Sequence, residues 1–108
     1  MSVVLNSGRD CLISVTAETV YGLKSIFAAG VWEEYDIQVL LDCLMLSTGT
    51  LYIHNLVNEI VDIFNTTQLQ SDHSAMEISA FHHARHLAFT RLKELNLHEK
   101  HPINPLTN

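Results

Sequence analysis

Positive charge is scarce in this chain. Six Lys and Arg against twelve Asp and Glu leave a formal net charge of −6 over 108 residues, which repels a phosphate backbone unless the cations cluster. Only Arg85, Arg91 and Lys93 stand close together, a thin basic patch, so nucleic acid is not the expected partner. Long apolar runs are lacking too. The longest uncharged stretch, 43–58, includes Ser47, Thr48, Gly49, Thr50, His54 and Asn55, too short and too polar to span a bilayer. No basic residue precedes the apolar residues near the start, and Asn6 to Asp10 interrupts them, unlike a secretory signal peptide. The expectation is a soluble, cytoplasmic protein with no membrane span.

Cysteine is reduced to Cys11 and Cys43, whose spacing fits neither a CxxC redox motif nor a zinc cluster. Both are expected to be reduced and partly buried. Catalytic signatures are missing as well: there is no HExxH, no ExxH of a carboxylate di-metal bundle, no nucleophile elbow, no glycine-rich phosphate loop and no paired catalytic carboxylate. The chain is expected not to be an enzyme. A 34-residue repeat is not supported either. "GVWEEY", Gly30 to Tyr35, looks like the turn of a tetratricopeptide repeat, but Tyr35 stands where a small residue is needed. A shift of 34 positions also sets Phe64 and Thr66 against Gly30 and Trp32.

What is present is apolar material in a helical rhythm. With 47% hydrophobic and 17% charged residues, the chain can offset its ordering entropy, and its length suits one domain over 1–108. The core is expected over about 15–97, with 98–108 as an irregular tail. Residues 1–14 give mixed signals that lean to helix. Thr16 as cap, Glu18 at the positive end and Gly30 as stop frame a helix over about Ala17 to Ala29, with Val20, Leu23 and Phe27 on one face. A second helix, about Trp32 to Leu46, opens on Glu33, Glu34 and Asp36 and is apolar around most of its circumference.

"STGT", Ser47 to Thr50, is a short break in which Thr50 can cap the next helix. Ile53, Leu56, Val57, Ile60, Val61 and Phe64 then follow amphipathic spacing, and the short link predicts an antiparallel hairpin with the second helix. Ser74 and Glu77 form a capping box for a fourth helix with Ile78, Phe81, Ala84, Ala88, Leu92 and Leu95 on its apolar face, running to about Asn96. The expected fold is all-α: a small four-helix bundle or two stacked antiparallel helical hairpins.

Histidine is the one abundant chemical group, with seven residues, three of them in "FHHARH". At about 100° per residue, measured from Phe81, His82 falls near 100°, His86 near 140° and His83 near 200°, all turned from the core. His82 and His86, four apart, can share a transition metal but supply only two ligands. The rest would come from Glu59, Asp62, His54, His73 or a second copy of the chain. No cofactor is otherwise expected.

The function this sequence favours is a non-enzymatic protein-binding module, an adaptor or secretion-type chaperone that holds a partner's amphipathic helix. Trp32, Tyr35, Leu40, Leu44 and Phe89 are the candidate partner contacts, and self-association through the second helix and Phe89 is a companion expectation. The alternative is a metal- or pH-responsive regulatory protein that uses His82 and His86.

Overall fold

The computed structural model describes residues 3–6, 12–49 and 51–104. Four helices build it: α1 (Ala17–Ala29), α2 (Glu34–Ser47), α3 (His54–Thr66) and α4 (Ala75–Glu94). Each start and stop has a local chemical cause. Thr16 Oγ1 accepts the Thr19 N–H at 3.1 Å and opens α1. Gly30, at φ 76°, closes it, with the Val31 N–H reaching back to the Ile26 carbonyl at 3.3 Å. That left-handed stop is one glycine takes without a steric penalty. At α2 the Glu33 N–H donates to Asp36 Oδ2 at 2.9 Å.

Ser74 and Glu77 make the reciprocal capping box of α4, at 2.9 and 3.1 Å. Its far end turns at Asn96, φ 58°, where the Leu97 N–H bonds the Leu92 carbonyl at 2.7 Å. α3 differs from expectation at its start. Ile53 occupies the cap position without a side-chain bond, while Thr50, the expected cap, lies outside the described residues. The turn before it closes by a bridge between Thr48 and Tyr52 and by the Ile53 N–H on the Ser47 carbonyl, 3.0 Å.

Residues that leaned to helix at the start of the chain are extended instead. β1 (Val3–Asn6) and β2 (Leu12–Val15) pair antiparallel, with Val3 opposite Val15 and Asn6 opposite Leu12. β-Branched Val3, Val4, Ile13 and Val15 suit that pairing better than a helix. The turn read in "NSGRD" falls, past Asn6, outside the described residues, as does Cys11.

The helices alternate in direction along the chain, yet neighbours in space are not always neighbours in sequence. α1 lies against α3, α4 against α2, and α2 against α3. Lys24 on α1 reaches both Glu59 and Asp62 on α3 at 3.0 Å. Near the start of both helices, Ala17 and Val20 share a cleft with Asn55 and Asn58, so α1 and α3 run the same way. Glu33 to Tyr35 meet Ser74 to Glu77 at one end of α2 and α4, and Arg91 meets Thr48 at the other, so that pair is also parallel. α2 and α3 form the expected antiparallel hairpin.

The core is one cluster drawn from all four helices. Val20, Leu23 and Phe27 of α1 meet Leu40 and Leu44 of α2, Val57, Ile60 and Phe64 of α3, and Phe81, Ala88 and Leu92 of α4. Trp32, just before α2, closes one end: its ring lies 5.7 Å from Phe27 and 5.5 Å from Phe81. His73 stacks on it at 3.8 Å and 18°. Large flat rings filling one junction bury apolar area that no single helix pair could cover.

Candidate functional site

Where α2 and α4 lie side by side, they leave a shallow groove of about 260 Å³ lined by Ile37, Gln38, Leu41, Ala80, His83 and Leu87. Glu34 borders it and also borders a second, more open depression with Glu33, Tyr35, Met76 and Glu77. Tyr35 is 74% exposed and Met76 73% exposed. Two large apolar side chains therefore stand in water at the amino ends of two parallel helices, ringed by carboxylates. Helix amino ends attract anionic side chains, which accounts for Glu33, Glu34 and Glu77 there and makes this end of the molecule acidic as well as apolar.

The expected partner contacts separate into two groups. Tyr35 is on this surface and Phe89 is 38% exposed, but Trp32, Leu40 and Leu44 are buried in the chain's own core. These three pack the bundle and present nothing to a partner. Much of the apolar circumference of α2 that suggested a further interface is turned inward: α2 packs against α4, α3, α1 and the β1–β2 ribbon, and Leu40 and Leu44 lie in the shared core. Tyr35 and Phe89 do not meet. Counted at about 100° per residue from Ala80, which lines the groove, Phe89 falls near 180°, on the far side of α4. There Lys93 sits 6.0 Å from the Phe89 ring centroid. Met76, which sequence reasoning passed over, is the residue that accompanies Tyr35.

The histidines of "FHHARH" are divided in the same way. His83 lines the groove, while His86 is exposed and His82 half-buried on the side of α4 that carries Phe89. Their proposed co-ligands are engaged elsewhere: Glu59 and Asp62 with Lys24, His54 with Tyr52 and Asn58, and His73 with Trp32. Among the described residues, no group of three or more His, Cys, Asp or Glu side chains is gathered as a metal site would require.

A polar cluster that sequence reasoning missed lies at the other end of α2. Tyr52, His54, Asn58 and His101 are mutually bonded there: His54 Nδ1 to Tyr52 at 2.8 Å, Asn58 Nδ2 to His54 Nε2 at 3.1 Å and His101 Nδ1 to Asn58 Oδ1 at 2.6 Å. Tyr52 Oη bonds His101 Nε2. His101 is 1% exposed, and desolvation, with the nearby His54 and Lys100, holds its pKa below the ordinary histidine value. The segment expected to be an irregular tail lacks regular structure over its described residues, 98–104. It is nonetheless docked on α3, where Asn65 Nδ2 donates to the Pro102 carbonyl at 3.0 Å and Asn65 Oδ1 accepts the Asn104 N–H at 2.8 Å. One signal was available in sequence, the four-residue spacing of His54 and Asn58 on α3; their third and fourth partners come from distant segments.

The thin basic patch also resolves into separate tasks. Arg85 is buried and donates to the Phe64 carbonyl at 2.8 Å and to Asn65 Oδ1 at 3.4 Å, at the carboxyl end of α3. Arg91 donates to Thr48 Oγ1 at 3.2 Å and to its carbonyl at 3.3 Å, at the carboxyl end of α2. Both guanidinium groups satisfy carbonyls that a helix leaves unpaired. Cys43 is buried in α2, its thiol pushed up to about 11 by burial first and by Asp42 second, the setting of a packed rather than a nucleophilic cysteine. No helix is long and apolar enough to cross a membrane among the described residues.

In comparisons with known proteins, the chain matches no family model, no curated protein and no solved structure.

Proposed function

We propose that this protein is a non-enzymatic binding module, of the adaptor or secretion-chaperone type, that holds a basic amphipathic helix of a partner polypeptide along the α2–α4 groove. The observation that carries the reading is the pairing of Tyr35 and Met76, both largely exposed, inside a rim of Glu33, Glu34 and Glu77. An apolar strip flanked by carboxylates complements a helix with an apolar stripe and Lys or Arg beside it, and the chain's net charge of −6 steers such a partner inward. Cytoplasmic residence belongs to the same proposal.

Fluorescence anisotropy with two synthetic helical peptides of identical apolar face, one with Lys and one with Glu on its flanks, tests it. The Lys peptide is expected to bind and to weaken as salt is raised. The double variant Tyr35→Ser, Met76→Ser is expected to lose at least about tenfold in affinity, of the order of 1.4 kcal/mol. Equal binding of both peptides, or binding untouched by the double variant, would overturn the reading.

A further inference from the structure

The four bonds joining Tyr52, His54, Asn58 and His101 close into a ring, and the direction of every proton in it follows from one residue. The Asn58 amide presents its oxygen to His101 Nδ1 and its nitrogen to His54 Nε2. An amide oxygen only accepts, so His101 carries its proton on Nδ1; an amide NH2 only donates, so His54 Nε2 is bare and its proton lies on Nδ1. His54 Nδ1–H then donates to the Tyr52 oxygen, and the Tyr52 hydroxyl donates to His101 Nε2. With this arrangement four donors meet four acceptors, and each residue gives one bond and takes one.

A single extra proton breaks this match. On His54 it points an N–H at the Asn58 NH2. Turning the amide over relieves that contact but aims its NH2 at His101 Nδ1, which must then pass its proton to Nε2 and lose the bond it accepts from the Tyr52 hydroxyl. On His101 it reverses the bond to Tyr52, whose hydroxyl proton must turn away to water, and places a cation in a site that is 1% exposed, with the His54 ring centroid 4.7 Å away. The charged neighbours offer no compensation. α3 contributes Glu59 and Asp62, both held by Lys24 of α1; the link before α3 contributes Tyr52; and the segment itself contributes Lys100, whose charge opposes protonation of His101.

We infer that Tyr52, His54, Asn58 and His101 are a proton-operated clasp: closed while both imidazoles are neutral, it pins residues 97–104 on α3, and one added proton opens it. Besides the ring, the segment is held by the two water-exposed bonds of Asn65 and by Leu97 and Ile103, both half-buried against the core. Opening uncovers the α3 stripe of His54, Asn58 and Asn65 and lifts Ile103 from the rim of the core, while the fully buried cluster of the four helices, which includes none of these side chains, remains packed. The sign follows from the depressed value of His101: the open state binds the proton more readily, so closure is complete above about pH 6.5 and is lost as pH falls below it.

The test is an NMR titration of the full chain from pH 7.5 to pH 5. Backbone order parameters at Ile103 and Asn104 are expected to fall from about 0.85 to below about 0.6, with helical circular dichroism unchanged. At pH 7.5 both His54 and His101 should be Nδ1–H tautomers. Asn58→Asp supplies the discriminating variant, because a carboxylate accepts from His54 Nε2–H and from His101 Nδ1–H at once. Protonation then completes the cluster instead of breaking it, and the segment should be firmer at pH 5 than at pH 7.5. Order parameters that stay high in the unmodified chain after both imidazoles have titrated would overturn the clasp, as would an Asn58→Asp variant with the same sign of pH dependence. If that variant does not fold, the unmodified chain's titration decides alone.

Discussion

Replacing Arg85 by Met removes a buried charge from the end of α3 while keeping most of the side chain's length. Arg85 is 5% exposed, and its guanidinium donates to the Phe64 carbonyl at 2.8 Å. A hydrogen bond from a charged donor contributes about 1.5–3 kcal/mol, and a cation at a helix carboxyl end adds about 0.3–1 kcal/mol. Against this stands the desolvation of the guanidinium, which already holds its pKa below the ordinary value and which Met does not suffer. The carbonyl is left unpaired, so the loss should win, by about 2 kcal/mol net.

For a domain near this size each kcal/mol shifts the melting temperature by about 4–8 °C, so a fall of about 8–16 °C is expected by scanning calorimetry. Arg85→Lys keeps the charge with fewer donors and should fall in between. Arg91→Met, at a half-buried site, should lose less than Arg85→Met. An Arg85→Met protein as stable as the parent, or more so, would mean that desolvation outweighs the capping bonds and would refute the assignment of Arg85 as a stabilising cap.

Leu44→Ala, in the centre of the core, should cost about 2–5 kcal/mol in urea unfolding. The folded variant should still bind the Lys peptide with unchanged affinity, which separates packing from docking. Gly30→Ala places a Cβ 3.3 Å from Gln70 at φ 76° and should lower stability by about 1–2 kcal/mol in the same assay. At pH 8 the Cys43 thiolate is only about one part in a thousand, given a thiol near 11. Peptide mapping after iodoacetamide should therefore find Cys43 unmodified until denaturant is added.

The helices were legible because their causes are local. Thr16, Gly30, Ser74 with Glu77, and Asn96 act within a turn of where they stand, and the α3 stripe from Ile53 to Phe64 declares its buried face by spacing alone. Two kinds of information were not local. Whether Leu40 and Leu44 face a partner or the chain's own core depends on which helices flank α2, and α4 covers it from some forty residues away in sequence. The same holds for Arg85, which reads as surface charge until the end of α3 is placed beside it. The β1–β2 ribbon depends on pairing between segments that carry little amphipathic signal. As for the candidate site, Tyr35 was recognisable as an aromatic at a helix start, but its companion Met76 required the parallel alignment of α2 and α4. The ring of Tyr52, His54, Asn58 and His101 joins three separate stretches, and no spacing rule connects position 101 to position 52.

The stack of Trp32 on His73 gives the molecule an optical reporter with a defined field of view. Trp32 is the chain's only tryptophan, and it sits at the amino end of α2, whereas the ring with His101 sits beyond the carboxyl end. The fourteen residues of α2 separate the two by about 21 Å. Indole emission therefore watches the junction of α1, α2 and α4 and is blind to undocking of residues 97–104. A pH change that alters the tail and leaves the emission spectrum constant would mark two regions of one small domain that respond to acid independently.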